Sequence, residues 1–276
     1  MPELPEVETV RRALEPVLTG ARITGLDVRR ERMVRRQPNP ADVAARLVGR
    51  RVSQVGRHGK FLQLDLDDGE FVWVLHLGMS GRLTFDDDGA EPLHTNVVVR
   101  HDGGPDLWFV DPRTFGFMAV FTPEELAVST IGALGPDALW ELPESRALGE
   151  QLDGRSASIK SLLLDQRIVA GLGNIYADEV LHRSHIHPRR AGGSLDASEL
   201  TALRRNVRLV LEAGIASGGT SLNDLAYLLP DGRAGQFLMK LRAYGREGGP
   251  CRTCGTPIER LVIAQRSSFF CPRCQT

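Results

Sequence analysis

The chain's four cysteines stand in two pairs, Cys251-Arg-Thr-Cys254 and Cys271-Pro-Arg-Cys274. Two CxxC knuckles separated by a hairpin-length spacer are the pattern of one tetrahedral zinc site. Four thiolates leave no open position for water or substrate, so the metal is expected to be structural. It would hold together a segment too small to have a core of its own. The alternative is two disulfides, which suits a secreted chain, and nothing in this one looks secreted. Residues 258–271 read as a β-hairpin whose turn carries Gln265, Arg266, Ser267 and Ser268. A hairpin stapled by metal delivers an arginine rigidly.

A second candidate is the start, Pro2-Glu-Leu-Pro-Glu6. Pro after the initiator favours removal of Met1, which would expose the secondary amine of Pro2. An N-terminal amine has an unperturbed pKa of about 8, against ~10.4 for lysine, so much of it is a free nucleophile at neutral pH. Next to a carboxylate, Glu3, such an amine can attack an electrophilic carbon and form a Schiff base. Glu6 could hold a water or orient the terminus. The same stretch also reads as the lead-in to a helix, with Pro5 at the first helical position.

Other stretches are weaker taken singly. Gly171-Leu-Gly-Asn-Ile-Tyr176 opens a helix and lacks the third glycine of a dinucleotide fingerprint, yet backbone N–H groups and Asn174 there could hold an anion. His76-Leu-Gly-Met-Ser-Gly81 sets Met79 between glycines, and Asp111-Pro-Arg-Thr-Phe-Gly116 sets Arg113 and Phe115 on a turn. Arg and Phe on a turn suit a wedge that unstacks a base. Each stretch alone reads as readily as core. His182, His185 and His187 read as loop histidines, because no fourth ligand has a useful spacing. The common protease, esterase and NTPase motifs are absent.

The positioning elements follow from periodicity. Val7, Val10, Leu14, Val17 and Leu18 repeat at helical spacing until Gly20. Eight short β-like runs follow, at 22–28, 51–55, 61–66, 71–76, 82–85, 96–100, 107–110 and 117–121, separated by Asp- and Gly-rich turns. One helix and eight short strands predict an antiparallel sandwich. Beyond Pro123 the pattern turns helical, with helices at 123–126, 145–152, 158–165, 174–182 and 198–217. The domains expected are 1–135, 136–245 and 246–276.

The 276 residues carry a net charge of −1, with 13 basic against 7 acidic residues over 1–60, 4 against 18 over 61–153, and 17 against 10 over 154–276. Two basic ends around an acidic middle suit a polyanion gripped twice, although solvated surface charge gives the same numbers. No apolar run approaches a membrane span, and the start has neither the basic nor the apolar part of a signal peptide. A cytoplasmic protein is expected, without membrane contact.

Together these stretches closely resemble bacterial formamidopyrimidine-DNA glycosylases, in the helix–two-turn–helix family that also contains endonuclease VIII. The likeness runs from Pro2-Glu-Leu-Pro-Glu-Val-Glu-Thr through Gly59-Lys60-Phe, the Met79 and Phe115 motifs and Gly171–Glu179 to the zinc hairpin with Ala264-Gln-Arg266. Leu4 resembles the formamidopyrimidine branch. The resemblance implies an α+β fold: an N-terminal helix with an antiparallel β-sandwich, a helix–two-turn–helix domain and a zinc-finger hairpin. It implies a bifunctional glycosylase and abasic-site lyase acting as a monomer on double-stranded DNA that contains oxidised bases or abasic sites. Pro2 would be the nucleophile at the sugar C1′ and Glu3 the acid/base. Lys60 and Arg266 would hold phosphate in the catalytic set. Met79, Arg113 and Phe115 would fill the duplex after the base is extruded, a step that costs a few kcal/mol. Asn174 and His94 complete the DNA contacts, and Cys251, Cys254, Cys271 and Cys274 hold one Zn2+. The stretch 218–241, expected to cover the extruded base, departs from the family, with Gln236 where Tyr is expected and Met239 where Gln or Glu is expected. Asn96 stands where a second histidine often follows His94. Oxidised-pyrimidine specificity, or a zinc-dependent lesion-binding protein without turnover, are the alternatives.

Overall fold

The computed structural model describes residues 2–37, 39–67, 69–85, 90–222 and 227–276. Met1 and part of the 218–241 stretch, residues 223–226, lie outside the described residues. The chain divides into two compact units, 1–133 with 215–238, and 134–214 with 239–276. The segment 215–238 thus clusters with the N-terminal residues, while the domain expected from the sequence is 136–245.

In the first unit, α1 (Leu4–Leu18) begins with Pro5 in its first turn and buries Val7, Val10, Leu14 and Leu18. Eight strands follow: β1 (Ile23–Val28), β2 (Val52–His58), β3 (Phe61–Leu66), β4 (Val72–His76), β5 (Arg82–Phe85), β6 (Thr95–His101), β7 (Leu107–Val110) and β8 (Phe117–Phe121). They form two antiparallel four-stranded sheets, ordered β1-β6-β7-β5 and β2-β3-β4-β8. Leu62, Leu64, Trp73 and Leu75 of one sheet and Val97, Val99, Leu107 and Phe109 of the other share one core with the buried face of α1. That face-to-face packing is the sandwich expected from alternation.

A helix not anticipated, α2 (Pro40–Leu47), lies between β1 and β2. Asn39 caps it by accepting from Ala41 N, and Pro40 opens it. Only Val43 and Leu47 are buried, which is too few apolar positions to show a helical period. A short helix, α3 (Pro123–Val128), closes the sandwich sequence with a Thr122–Glu125 capping box.

The second unit carries α4 (Ser145–Leu152), α5 (Ile159–Leu164), α6 (Asn174–Ser184) and α7 (Ala197–Ala216), whose C-terminal end passes into the first unit. Two turns between α5 and α6 are tied by one side chain. Gln166 donates to Leu164 O and Leu172 O and accepts from Gly171 N. The unit ends in a hairpin of β9 (Glu259–Ile263) and β10 (Arg266–Phe270). Among the described residues, no helix is long and apolar enough to cross a membrane.

Candidate active site and zinc finger

The start of α1 is held by a capping box, in which the Glu3 side chain accepts from the Glu6 backbone N–H and the Glu6 side chain from that of Glu3. Glu6 Oε2 accepts from Glu3 N at 2.7 Å, and Glu6 Oε1 accepts from Thr220 N at 2.6 Å. Both acids are buried, Glu3 at 2% and Glu6 at 1% exposure, and Pro2 is buried beside them. A charged acceptor shared by two backbone donors is a strong, short-range tie. Gly219 explains the closeness of Thr220's segment. It has φ +81°, and a Cβ there would lie 2.8 Å from Glu6 Oε1.

Lys60 lies on the turn between β2 and β3, and the turn is tied back to α1. Glu8 and Arg57 form a fully buried ion pair at 3.2 Å, and Arg57 donates to Gly59 O at 2.8 Å. These contacts tie α1 to the turn that carries Lys60. Breaking such a pair costs more than it contributes, because one charge would remain buried alone.

His76, the first residue of the Met79 motif, adds a group to which the motif alone assigns no role. Its ring stacks with Phe117 at 5.6 Å and packs against Phe61 at 4.6 Å. Burial first, and then the positive charges of Lys60, Arg35 and Arg36, lower its pKa to about 4. Gly78 N donates to Nδ1 at 3.2 Å, so the neutral ring carries its proton on Nε2. Its position two residues before Gly78, at a strand end, was the available signal.

Asp111 assembles the two candidate wedge loops. Fully buried, it accepts from Ser80 Oγ at 2.7 Å, Arg113 N at 3.2 Å and Gly116 N at 2.7 Å. Gly78 packs so closely against the second loop that a Cβ would lie 2.4 Å from Gly116 N. Thr114, a β-branched residue, is held at φ 51°, an outlying conformation. Arg32 donates to Thr114 O, and Arg35 donates to Phe115 O and Gly116 O. What this framework presents is apolar: Met79 is 38% and Phe115 40% exposed, with the Arg113 guanidinium 4.7 Å from the Phe115 ring centre. The core reading of Met79 and Phe115 is excluded by that exposure. His94 is also exposed, at φ 67°, and its carbonyl accepts from Asp111 N. Asn96 is buried and donates to Asp111 O at 2.7 Å, so its amide serves the same loop.

In the second unit, Asn174 is the first residue of α6 and donates to Ser267 O at 3.0 Å. Lys160 donates to the same oxygen at 2.9 Å and to Asp178 Oδ1 at 2.6 Å. Asp178 also accepts from Phe269 N. Burial raises the Asp178 pKa, and the Lys160 ammonium opposes that rise. These bonds seat β10 on α6 and place Arg266, which is exposed at the strand's first position. The tight turn is Ala264–Gln265, both at positive φ, so Arg266, Ser267 and Ser268 belong to β10 and not to the turn as expected. Glu179 accepts from the backbone N–H groups of Arg242, Ala243 and Tyr244 and so fixes the strap leading to the finger.

The four Sγ atoms lie within 4.8 Å of one another, with Cys254 and Cys271 at 3.5 Å and Cys251 and Cys274 at 4.0 Å. A zinc–sulfur length of ~2.3 Å gives a tetrahedral edge of about 3.8 Å, so the cage fits zinc. Thr253 N and Cys274 N point at Cys251 and Cys271 sulfur, each at 3.4 Å, and His182 Nε2 lies 3.4 Å from Cys251 Sγ. Such contacts orient ligands and offset thiolate charge. The cage holds one structural Zn2+.

The first unit thus bears an exposed apolar pair, Met79 and Phe115, and buried carboxylates at the start of α1, and the second unit bears an exposed arginine on a hairpin whose four cysteines fit zinc. Family models for the formamidopyrimidine-DNA glycosylase N-terminal domain, its H2TH domain, and the zinc finger found in FPG and IleRS match residues 1–118, 134–225 and 248–276. The chain belongs to the formamidopyrimidine-DNA glycosylase family. It is 45% identical to the formamidopyrimidine-DNA glycosylase of Rhizorhabdus wittichii, and 43% identical to that of Pediococcus pentosaceus. The first alignment covers 100% of both chains, the second 100% of this chain and 99% of the relative. Among solved structures it is similar to the MutM (Fpg) protein of Thermus thermophilus, at TM-score 0.88 and 39% identity over 99% of this chain and 98% of that one. It is also similar to Lactococcus lactis Fpg in complex with DNA containing an abasic site, at TM-score 0.88 and 32% identity over all of both chains.

Proposed function

We propose that the chain excises oxidised purines, 8-oxoguanine and formamidopyrimidines, from double-stranded DNA and then cuts the strand through a Schiff base on Pro2. It is a DNA glycosylase of base excision repair with abasic-site lyase activity. With Met1 removed, the Pro2 nitrogen attacks C1′. The N–C1′ bond forms as the glycosidic bond breaks, and the base leaves with the electron pair and takes up the proton that the Pro2 nitrogen gives up. Glu3 gives a proton to the ring oxygen as the C1′–O4′ bond opens, which leaves an iminium. Loss of a C2′ proton then expels the 3′ phosphate, and a second elimination expels the 5′ phosphate. Lys60, the His76 Nε2–H, Asn174 and Arg266 hold backbone phosphates. Met79, Arg113 and Phe115 fill the place of the extruded base. The enzyme works as a monomer in the cytoplasm, where four reduced thiolates are available to zinc.

The observation that supports this reading best is the Glu6 carboxylate, which fixes Glu3 beside Pro2 in a buried setting. Proton transfer needs a group held within hydrogen-bond reach. The test is incision of duplexes carrying one 8-oxoguanine, one formamidopyrimidine or one thymine glycol. Faster cutting at the two purines, with phosphate on both new ends, is the expected result. A preference for thymine glycol, or binding without incision, would count against it.

A further inference from the structure

A cleft of about 530 Å³ opens in the second unit, between the C-terminal end of α6, the middle of α7, the strap at Arg242 and the first zinc knuckle at Thr253. Three arginines line it, Arg183, Arg205 and Arg242, and among the described residues that line it none is acidic. Elsewhere in this unit Arg190, Arg204 and Arg208 each pair with a glutamate. The three arginines of the cleft have no carboxylate partner among the described residues. Glu179, which stands on α6 before the cleft, is occupied by the backbone N–H groups of Arg242, Ala243 and Tyr244.

The cleft is built on buried polar groups. Arg183 Nε donates to Asn206 Oδ1 at 3.2 Å, and the Asn206 amide, 2% exposed, donates to Ser184 Oγ at 3.1 Å. That orients the Arg183 fork and leaves its terminal nitrogens available. The lining also meets both zinc knuckles. His182, 1% exposed, sets Nε2 3.4 Å from Cys251 Sγ, and His185 Nδ1 donates to Cys274 O at 3.0 Å.

Three guanidinium charges in one concavity repel one another, and an anion of matching charge relieves that repulsion. The C-terminal end of α6 offers only about half a negative charge against them. A guanidinium fork takes two phosphate oxygens at once, and a space of several hundred Å³ suits a small molecule. We propose that this cleft binds a small polyphosphate anion, inorganic pyrophosphate being the simplest, through Arg183, Arg205 and Arg242. It lies apart from the end of α6 where Asn174 meets Ser267 O. Arg183 stands nine residues after Asn174, about 13 Å along the helix at 1.5 Å per residue.

The test is titration calorimetry of the full-length zinc protein with inorganic pyrophosphate, with Arg205→Gln, Arg242→Gln and Arg266→Gln beside wild type. One site per chain is expected. Affinity should fall about tenfold for each of the first two variants, the factor that accompanies loss of one charge-assisted hydrogen bond, and stay within about twofold in Arg266→Gln. No binding by wild type, or equal binding by the cleft variants, would overturn the proposal; heat from extraction of zinc by the anion belongs to the second case. Loss in Arg266→Gln would place the anion at the hairpin and overturn it as well. A glutamate decapeptide that binds as tightly as pyrophosphate would overturn the phosphate assignment. Thermal melting checks folding, and if Arg242→Gln is misfolded the exposed Arg205 decides the matter. Incision of an 8-oxoguanine duplex by Arg205→Gln should stay within about twofold of wild type, and a parallel loss would make the cleft part of the DNA surface and contradict a separate site.

Discussion

Ser80 Oγ donates to Asp111 Oδ1 at 2.7 Å, and this contact joins the loop carrying Met79 to the loop carrying Phe115. Asp111 also accepts two backbone N–H groups of the second loop. A fully buried carboxylate with three donors is the hub of the exposed apolar pair. Asp111→Ala leaves those donors unpaired and should lower stability by about 2–4 kcal/mol in denaturant melts. Ser80→Ala, which removes one donor, should cost about 1 kcal/mol. Equal losses in the two variants would show that Asp111 is no hub.

Lys160 and Asp178 make a fully buried pair at 2.6 Å, and Lys160 and Asn174 converge on Ser267 O. Lys160→Met strands a carboxylate and should cost about 3–5 kcal/mol. It should also weaken DNA binding, because β10 and Arg266 lose their seat. Lys160→Met with Asp178→Leu should recover much of the stability. A single variant as stable as wild type would contradict this account of the pair.

His76 sets a pH dependence. Its pKa is lowered from 6.5 to about 4 by burial and by Lys60, Arg35 and Arg36. Between these values the unfolded chain binds the proton and the folded chain does not, so acidification favours unfolding. The contribution is fully present above pH 6.5 and is lost as pH falls toward 4. His76→Gln should flatten the stability profile in that window relative to wild type. Parallel profiles would rule the histidine out as the source.

Zinc removal should act locally. The hairpin's own core is only Cys251, Ile258 and Cys271, with Cys254, Phe269 and Cys274 against it. Chelation should speed amide exchange across 259–270 and reduce DNA affinity, while the amides of α1 stay protected. Unchanged protection of β9 and β10 after chelation would contradict a structural metal.

The eight strands and the buried face of α1 were legible because one face of each element meets a shared core and alternation records it. The zinc cage was legible because its ligands come as two local pairs. The helix α2 was not, because only Val43 and Leu47 face inward. Asp111 and His76 stood in view within recognised motifs, yet their roles depend on what another loop or strand brings to them. The Thr84–Pro230 contact spans 146 residues, and no local pattern can reveal such a pair.

Borohydride reduction of the full-length protein on an abasic-site duplex, followed by mass mapping of the adduct, tests the central claim most directly. The account predicts one covalent adduct on the nitrogen of Pro2, on chains that have lost Met1. The chain has three lysines, Lys60, Lys160 and Lys240, so the competing amines are few. An adduct on any of them, or full cutting by protein that keeps Met1, would contradict the account.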